Sequence, residues 1–189
     1  MIKPYVVFSG TAGAGKTTMI KPTIDLLERV SHEPVRYLSE VARSLKAKGY
    51  QINREATCAT QQMIEDEYIR LERESKDFIK VADRSIIDRY AYAMLNGGST
   101  ISEEKRKILD WYDANIETHC KKYSHIFYIP ITTAVPYKLD GIRSEDIGYR
   151  EEIAKLQESI IDSYKIKVYY IMPTTPATRF EFVTRTICQ

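Results

Sequence analysis

Three observations predict an α/β fold in which a five-stranded parallel sheet is flanked by helices. Short apolar runs alternate with helical patterns along all 189 residues. A glycine-rich turn, GTAGAGKT over 10–17, sits between the first apolar run and the first helical pattern. Two acids, Glu40 and Asp83, close the second and third runs, at the carboxyl ends of strands, where open α/β sheets gather their ligands.

The elements follow in order. PYVVFS (4–9) reads as a buried strand and feeds a helix over 16–30. Pro22 falls about two turns into that helix and removes a backbone bond, so a bend is expected there, at about 3 kcal/mol if unrelieved. VRYLSE (35–40) is the second strand, with helices over 41–48 and 57–76 after it. FIKVAD (78–83) is the third, followed by a helix over 86–95. NGG then marks a turn, and Thr100 with Glu103 three residues on reads as a capping box opening a helix over 101–121. HIFYIPI (125–131) is the fourth strand, with a helix over 146–164 behind it. IKVYYIM (166–172) is the fifth, and the proline-punctuated turn PTTPATRF leads to a helix over 178–187. No internal repeat or low-complexity segment interrupts this, and one domain over 1–189 is expected.

Composition narrows the class. Hydrophobic residues at 43% and charged residues at 29% give the usual globular balance, which disfavours disorder. A net charge of +2 neither announces nor excludes a nucleic-acid partner. Cys58, Cys120 and Cys188 match no metal spacing, and the odd count argues against a disulfide framework, so a reducing, cytoplasmic setting is expected. No apolar run approaches the roughly 18 residues of a membrane span, and the first residues run directly into the glycine-rich turn, so no cleavable leader is expected. His32, His119 and His125 fit no triad or metal arrangement.

Gly10, Thr11, Ala12, Gly13, Ala14, Gly15, Lys16 and Thr17 satisfy G-x-x-x-x-G-K-[ST] after a strand and before a helix, with Thr18 next in line. In such a loop the glycines let backbone amides wrap the phosphates of ATP. Lys16 reaches the outer phosphates and the Thr17 hydroxyl ligates Mg²⁺. Asp83 occupies the usual place of the acid that organises the metal. The run HIFYIPITTAVPYKLD lacks the N-K-x-D expected of a switch GTPase.

Glu40 bears on the acceptor. A hydroxyl acceptor must lose its proton during transfer, and a carboxylate within hydrogen-bond reach is a suitable base, whereas a phosphate acceptor calls for positive charge. The alternative for Glu40 is a surface acid at a helix N-terminus. Arg84 and Arg43 either bind phosphate or anchor these acids. Between the fourth strand and the next long helix, residues 133–150 read as a lid carrying Lys138, Arg143 and Arg150, with Arg143 expected at the transferring phosphoryl group. Tyr90, Tyr92, Trp111 and Tyr112 fit either a stacked base or ordinary core packing.

SEVARSL, VADRSIIDRYAYA and DGIRSEDIGYREEIAKLQESI, in this order over most of the chain, resemble the deoxynucleoside kinase and thymidylate kinase group of P-loop kinases. They are also similar to small P-loop kinase-like ATPases that include ribosylnicotinamide kinases. The resemblance implies a three-layer P-loop kinase fold. It implies Glu40 as base for the acceptor hydroxyl, Asp83 near Mg²⁺, Arg84 as an orienting or phosphate-binding arginine, and Asp88 with Gln61 or Gln62 as groups that read the acceptor. The chain departs from the family pattern in lacking a proline after Glu40 and in carrying Asp83 where E-R-S has glutamate. The expected activity is ATP-dependent transfer of the γ-phosphoryl group to a hydroxyl of a nucleoside-type acceptor. Three alternatives stay open: a nucleoside monophosphate kinase, a kinase acting on a hydroxymethylated base or strand end of DNA, and a nucleotide-gated interaction module. Related kinases are commonly dimers, so a homodimer is a further expectation.

Overall fold

A computed structural model of the chain describes residues 3–39, 41–96, 102–131, 147–172 and 175–189. Strands β1 (Tyr5–Ser9), β2 (Val35–Leu38), β3 (Ile79–Asp83), β4 (His125–Tyr128) and β5 (Tyr169–Tyr170) form one sheet in the order β2-β3-β1-β4-β5. All four pairings are parallel, as the alternation of apolar runs with helices requires. Helices α1 (Lys16–Ser31), α2 (Val41–Ala47), α3 (Cys58–Glu74), α4 (Ile86–Leu95), α5 (Glu103–Cys120), α6 (Ile147–Ser163) and α7 (Pro176–Ile187) supply the flanking layers.

The period-2 alternation of β1 explains the layering. Tyr5 and Val7 point into a core shared with α4, α5 and α6, whereas Val6 and Phe8 point into a second core shared with α1 and α7. The same split divides β4, with Ile126 and Tyr128 on the first face and Phe127 on the second. A smaller cluster of Val41, Leu45, Ile64 and Tyr68 ties α2 to α3.

Several boundaries differ from expectation for local reasons. Helix α1 runs unbroken through Pro22 from Lys16 to Ser31. Helix α5 is capped by Ser102, whose side chain accepts from Lys105 N at 3.2 Å, and not by Thr100, which lies outside the described residues. Helix α7 begins two residues early because Thr175 caps it, with Pro176 in the first turn. Strand β5 contracts to two residues at the sheet edge, where only β4 can pair with it. Among the described residues no helix is long and apolar enough to cross a membrane.

Candidate functional site

The glycine-rich loop joins the carboxyl end of β1 to the amino end of α1, and its glycines are required by position. At Gly10, φ is 137° and an added Cβ would lie 2.4 Å from the Ile129 carbonyl oxygen. At Gly15, φ is 98° and an added Cβ would meet Arg179 Nη1 at 2.9 Å. The loop's carbonyls are tied to buried cations. Lys16 Nζ donates to Gly10 O at 2.8 Å and to Thr11 O at 2.9 Å. Arg150 Nε donates to Ala12 O at 2.9 Å, and Arg179 Nη1 to Ala14 O at 3.1 Å. Carbonyls held in this way suit a loop that offers amide N–H groups to an anion, at the positive end of a helix.

Two of the predicted metal-shell residues meet. The Thr17 hydroxyl donates to Asp83 Oδ2 at 3.2 Å, and Asp83 is held at the end of β3, where its backbone carbonyl accepts from Tyr68 at 3.0 Å. Among the described residues no group of three or more His, Cys, Asp or Glu is arranged to hold a metal. One hydroxyl and one carboxylate nevertheless fit magnesium, which binds through one or two protein oxygens and takes the rest of its shell from water and phosphate.

Asp88 has a different role from the one expected. It is fully buried, and its Oδ2 accepts from Ser9 Oγ at 2.7 Å, Ser85 N at 2.8 Å and Ser85 Oγ at 2.9 Å. Its Oδ1 accepts from Gly10 N at 2.8 Å and Gln157 Nε2 at 2.9 Å. The carboxylate therefore closes a capping box with Ser85 on α4 and pins the first amide of the phosphate loop. With both oxygens engaged and no exposure, it has no face to present to an acceptor.

On the far side of Asp83 a cavity opens between α2, α3 and α4, lined by Gln61, Tyr68, Arg84, Arg89, Tyr92 and Asn96 among others. Its volume is about 30 Å³, room for a water or two, so a base with its sugar enters only if the walls separate. Gln61 is the inward glutamine of the expected pair, with Nε2 donating to Arg89 O at 3.2 Å. Gln62 is exposed and donates to Asp66 at 2.8 Å along α3. Arg43 is half-buried on α2 and does not line the cavity.

Arg84 adopts φ 90°, the left-handed region that costs a non-glycine residue about 1–3 kcal/mol and that clusters at functional sites. Its backbone N–H is anchored to Phe8 O at 2.9 Å, and its guanidinium carbon lies 4.8 Å from the centre of the Tyr92 ring. Glu40 and Arg143 lie outside the described residues, as do residues 133–146 of the expected lid. The last residues of the expected lid, 147–150, form the first turn of α6.

Sequence reasoning missed the wall behind this cavity. Arg89 and Glu65 are both buried and pair through two bonds, at 2.7 Å and 3.2 Å, while Tyr112 donates to Glu65 at 2.7 Å. Burial pulls the Arg89 guanidinium down, but Glu65 together with Tyr123 and Glu72 outweighs it and holds the group above its ordinary value. Burial, reinforced by Glu65, pushes the Tyr112 hydroxyl up. Tyr90 and Tyr112 stack on one another at 5.1 Å inside the core, so neither is placed for a base, whereas Tyr92 does face the cavity. Cys120 is no nucleophile, because burial pushes its thiol up to about 12.

The sequence model of a family described as an AAA domain matches residues 5–179. No curated protein matches the chain. Among solved structures, a NadR protein in complex with NR superposes with a TM-score of 0.75 at 19% identity, over 98% of this chain and 51% of that one. This chain thus spans about half the length of that protein. Thymidylate kinase from Candida albicans superposes with a TM-score of 0.64 at 14% identity, over 99% of this chain and 90% of the other. Thymidylate kinase from Ehrlichia chaffeensis gives 0.63 at 14% identity, over 99% and 100%. At these identities the likeness is one of fold, and it matches the three-layer P-loop kinase architecture expected from the sequence.

Proposed function

Because the chain belongs to this AAA-domain family and has a P-loop kinase fold, we propose that it is an ATP-dependent kinase that phosphorylates a hydroxyl of a nucleoside-type acceptor. The observation that carries the reading is the Thr17 hydroxyl 3.2 Å from Asp83 at the mouth of the phosphate loop, beside a cavity walled by Gln61 and Arg84. Lys16 and the loop amides hold the triphosphate, and Thr17 with Asp83 holds magnesium. Held there, the ion would supply positive charge against that which develops on the transferring phosphoryl group.

In the transfer, the acceptor oxygen bonds to the γ-phosphorus as the bond from that phosphorus to the β-bridging oxygen breaks. ADP leaves, and the hydroxyl proton passes to the Glu40 carboxylate. Arg143 spreads the charge of the transferred group over its own guanidinium. Arg84 orients the acceptor from the edge of the cavity. A second reading, transfer to a nucleoside monophosphate, draws support from the same arginine, since a guanidinium carried on a strained backbone at the cavity wall would also suit an acceptor phosphate.

A screen with labelled ATP against nucleosides, nucleoside monophosphates and hydroxymethylated oligonucleotides tests both readings. The proposal expects labelled nucleoside, and Glu40→Gln should cut turnover by about a hundredfold or more. Label on monophosphates alone would establish the second reading. No transfer to any acceptor, with ATP still bound, would overturn the kinase assignment.

A further inference from the structure

The first turn of α6 touches both halves of the site. Tyr149 and Arg150 are adjacent in it, and both are buried. Tyr149 belongs to the acceptor side. Its hydroxyl donates to Asn96 Oδ1 at 2.6 Å, and its ring packs edge-on to Tyr92 with centroids 6.1 Å apart. Asn96 and Tyr92 both line the cavity walled by Gln61 and Arg84. The guanidinium carbon of Arg54 lies 4.9 Å from the centre of the same Tyr149 ring, and Arg54 follows another lining residue, Asn53, in the short 3₁₀ turn Asn53–Glu55. Arg150 belongs to the donor side, where its Nε holds Ala12 O at 2.9 Å.

That bond bears on the next amide of the phosphate loop. A peptide group is planar and trans, so its C=O and N–H point in opposite directions. Holding the Ala12 carbonyl toward Arg150 therefore turns the Gly13 N–H away from Arg150, to the side on which such a loop receives its anion. Gly13 has φ 77° and no Cβ, so little in the glycine itself keeps this peptide from rotating. Arg150 supplies the restraint.

The cavity, at about 30 Å³, admits an acceptor only when its walls separate. Three pieces of that wall bear on Tyr149: Tyr92, Asn96 and the Asn53–Glu55 turn. A shift in these pieces reaches Tyr149, and Arg150 is its covalent neighbour. We propose that Tyr149 is a positioning residue, which reads the wall of the acceptor cavity and, through Arg150, sets the Ala12–Gly13 peptide, so that triphosphate affinity follows the state of that wall. The inference rests on the kinase reading in taking ATP as the donor. A rival route runs along α4 from Asn96 back to Asp88, which accepts from Gly10 N at 2.8 Å.

The test is titration calorimetry of the full chain with ATP and magnesium, in a double-mutant cycle that separates the two routes. Arg150→Met should weaken ATP by about tenfold, the worth of one bond to a charged oxygen. Tyr149→Phe keeps the ring and Asn96→Leu keeps the side-chain volume. Each removes the same hydrogen bond, from opposite ends, and each should weaken ATP by about threefold or more. Added to Arg150→Met, neither should cost anything further, because the hydroxyl acts through that arginine. Tyr90→Phe removes a different hydroxyl bond of α4, to Asp113, and should leave ATP affinity unchanged. Losses that add in the double variants would assign the effect to the α4 route and overturn the proposal. So would full ATP affinity in any of the three single variants of the cycle, or an equal loss in Tyr90→Phe. A parent chain that binds no ATP would overturn the kinase reading and this inference together, whereas every other adverse outcome strikes the inference alone.

Discussion

Replacing Asp88 separates a residue that shapes the phosphate loop from one that reads an acceptor. Its carboxylate accepts five hydrogen bonds from buried donors, at 2.7 to 2.9 Å. In Asp88→Ala the two serine hydroxyls can rotate, and Ser85 Oγ already lies 3.1 Å from Ser9 Oγ. The backbone N–H groups of Gly10 and Ser85 and the amide of Gln157 cannot follow. Three stranded donors at about 1–3 kcal/mol each, discounted for relaxation, put the loss near 4 kcal/mol. For a chain of this size that is a fall in Tm of roughly 8–16 °C. Asp88→Asn keeps one acceptor oxygen. Its new amide must face either Gly10 N–H or Ser85 N–H, so one backbone donor is lost, at about 2 kcal/mol. Urea melts followed by circular dichroism measure both variants, and calorimetry with ATP reports on the loop, which should bind more weakly once Gly10 is released. If Asp88 instead reads the acceptor, Asp88→Asn would melt within about 1 °C of the parent and raise only the acceptor KM. That outcome would refute a role for Asp88 in holding the loop.

Three further outcomes are expected. Glu65→Gln leaves Arg89 charged and buried without its partner, so urea melts should show a loss of about 3 kcal/mol, partly restored by adding Arg89→Met, and simple additivity would refute the coupling. Burial lowers His119 and His125 below the ordinary imidazole value of about 6.5, so the unfolded chain binds more protons than the folded one in the window just below that value. Stability should therefore fall as pH drops through that window, and His119→Gln with His125→Gln should flatten the slope; a slope unchanged in the double variant would refute this. Arg179 donates one bond to Ala14 O but keeps Nε and Nη2 buried without partners, and burial lowers its pKa. Arg179→Met should hold stability to within about 1 kcal/mol while weakening ATP by about tenfold, and a large fall in Tm at unchanged ATP affinity would contradict it.

The parts of this fold that were legible in sequence are those set by neighbours along the chain. Alternating apolar residues in PYVVFS divide between the two cores as a period of two requires, and the glycines of the loop stand where φ is positive. Asp83 and Thr17 could be paired because the motif places both at the same end of the sheet. The role of Asp88 was not legible, because its partners come from 9, 10 and 157 as well as from its own turn. Arg150 and Arg179 were hidden in the same way, bonding carbonyls 138 and 165 residues away. The capping error is local in origin. Thr100 and Glu103 match a box, but Ser102 followed by Glu103 and Glu104 also sets acids in the first turn of a helix, and that start prevails.

These long-range bonds bear on how a nucleotide could be received. Lys16, the one cation of the motif, donates to the carbonyls of Gly10 and Thr11 at 2.8 and 2.9 Å, so a phosphate competes with two neutral acceptors for its three N–H donors. The exchange is favourable, because a bond from an ammonium to a charged phosphate oxygen is stronger than one to a carbonyl. It would cost more if the loop depended on Lys16 for its shape. Asp88 from α4 holds Gly10 N, Arg150 from α6 holds Ala12 O, and Arg179 from α7 holds Ala14 O, and none of these bonds involves the lysine. The loop can therefore release Lys16 to the ligand and keep its curvature, so that little of the binding free energy is consumed in ordering the cradle.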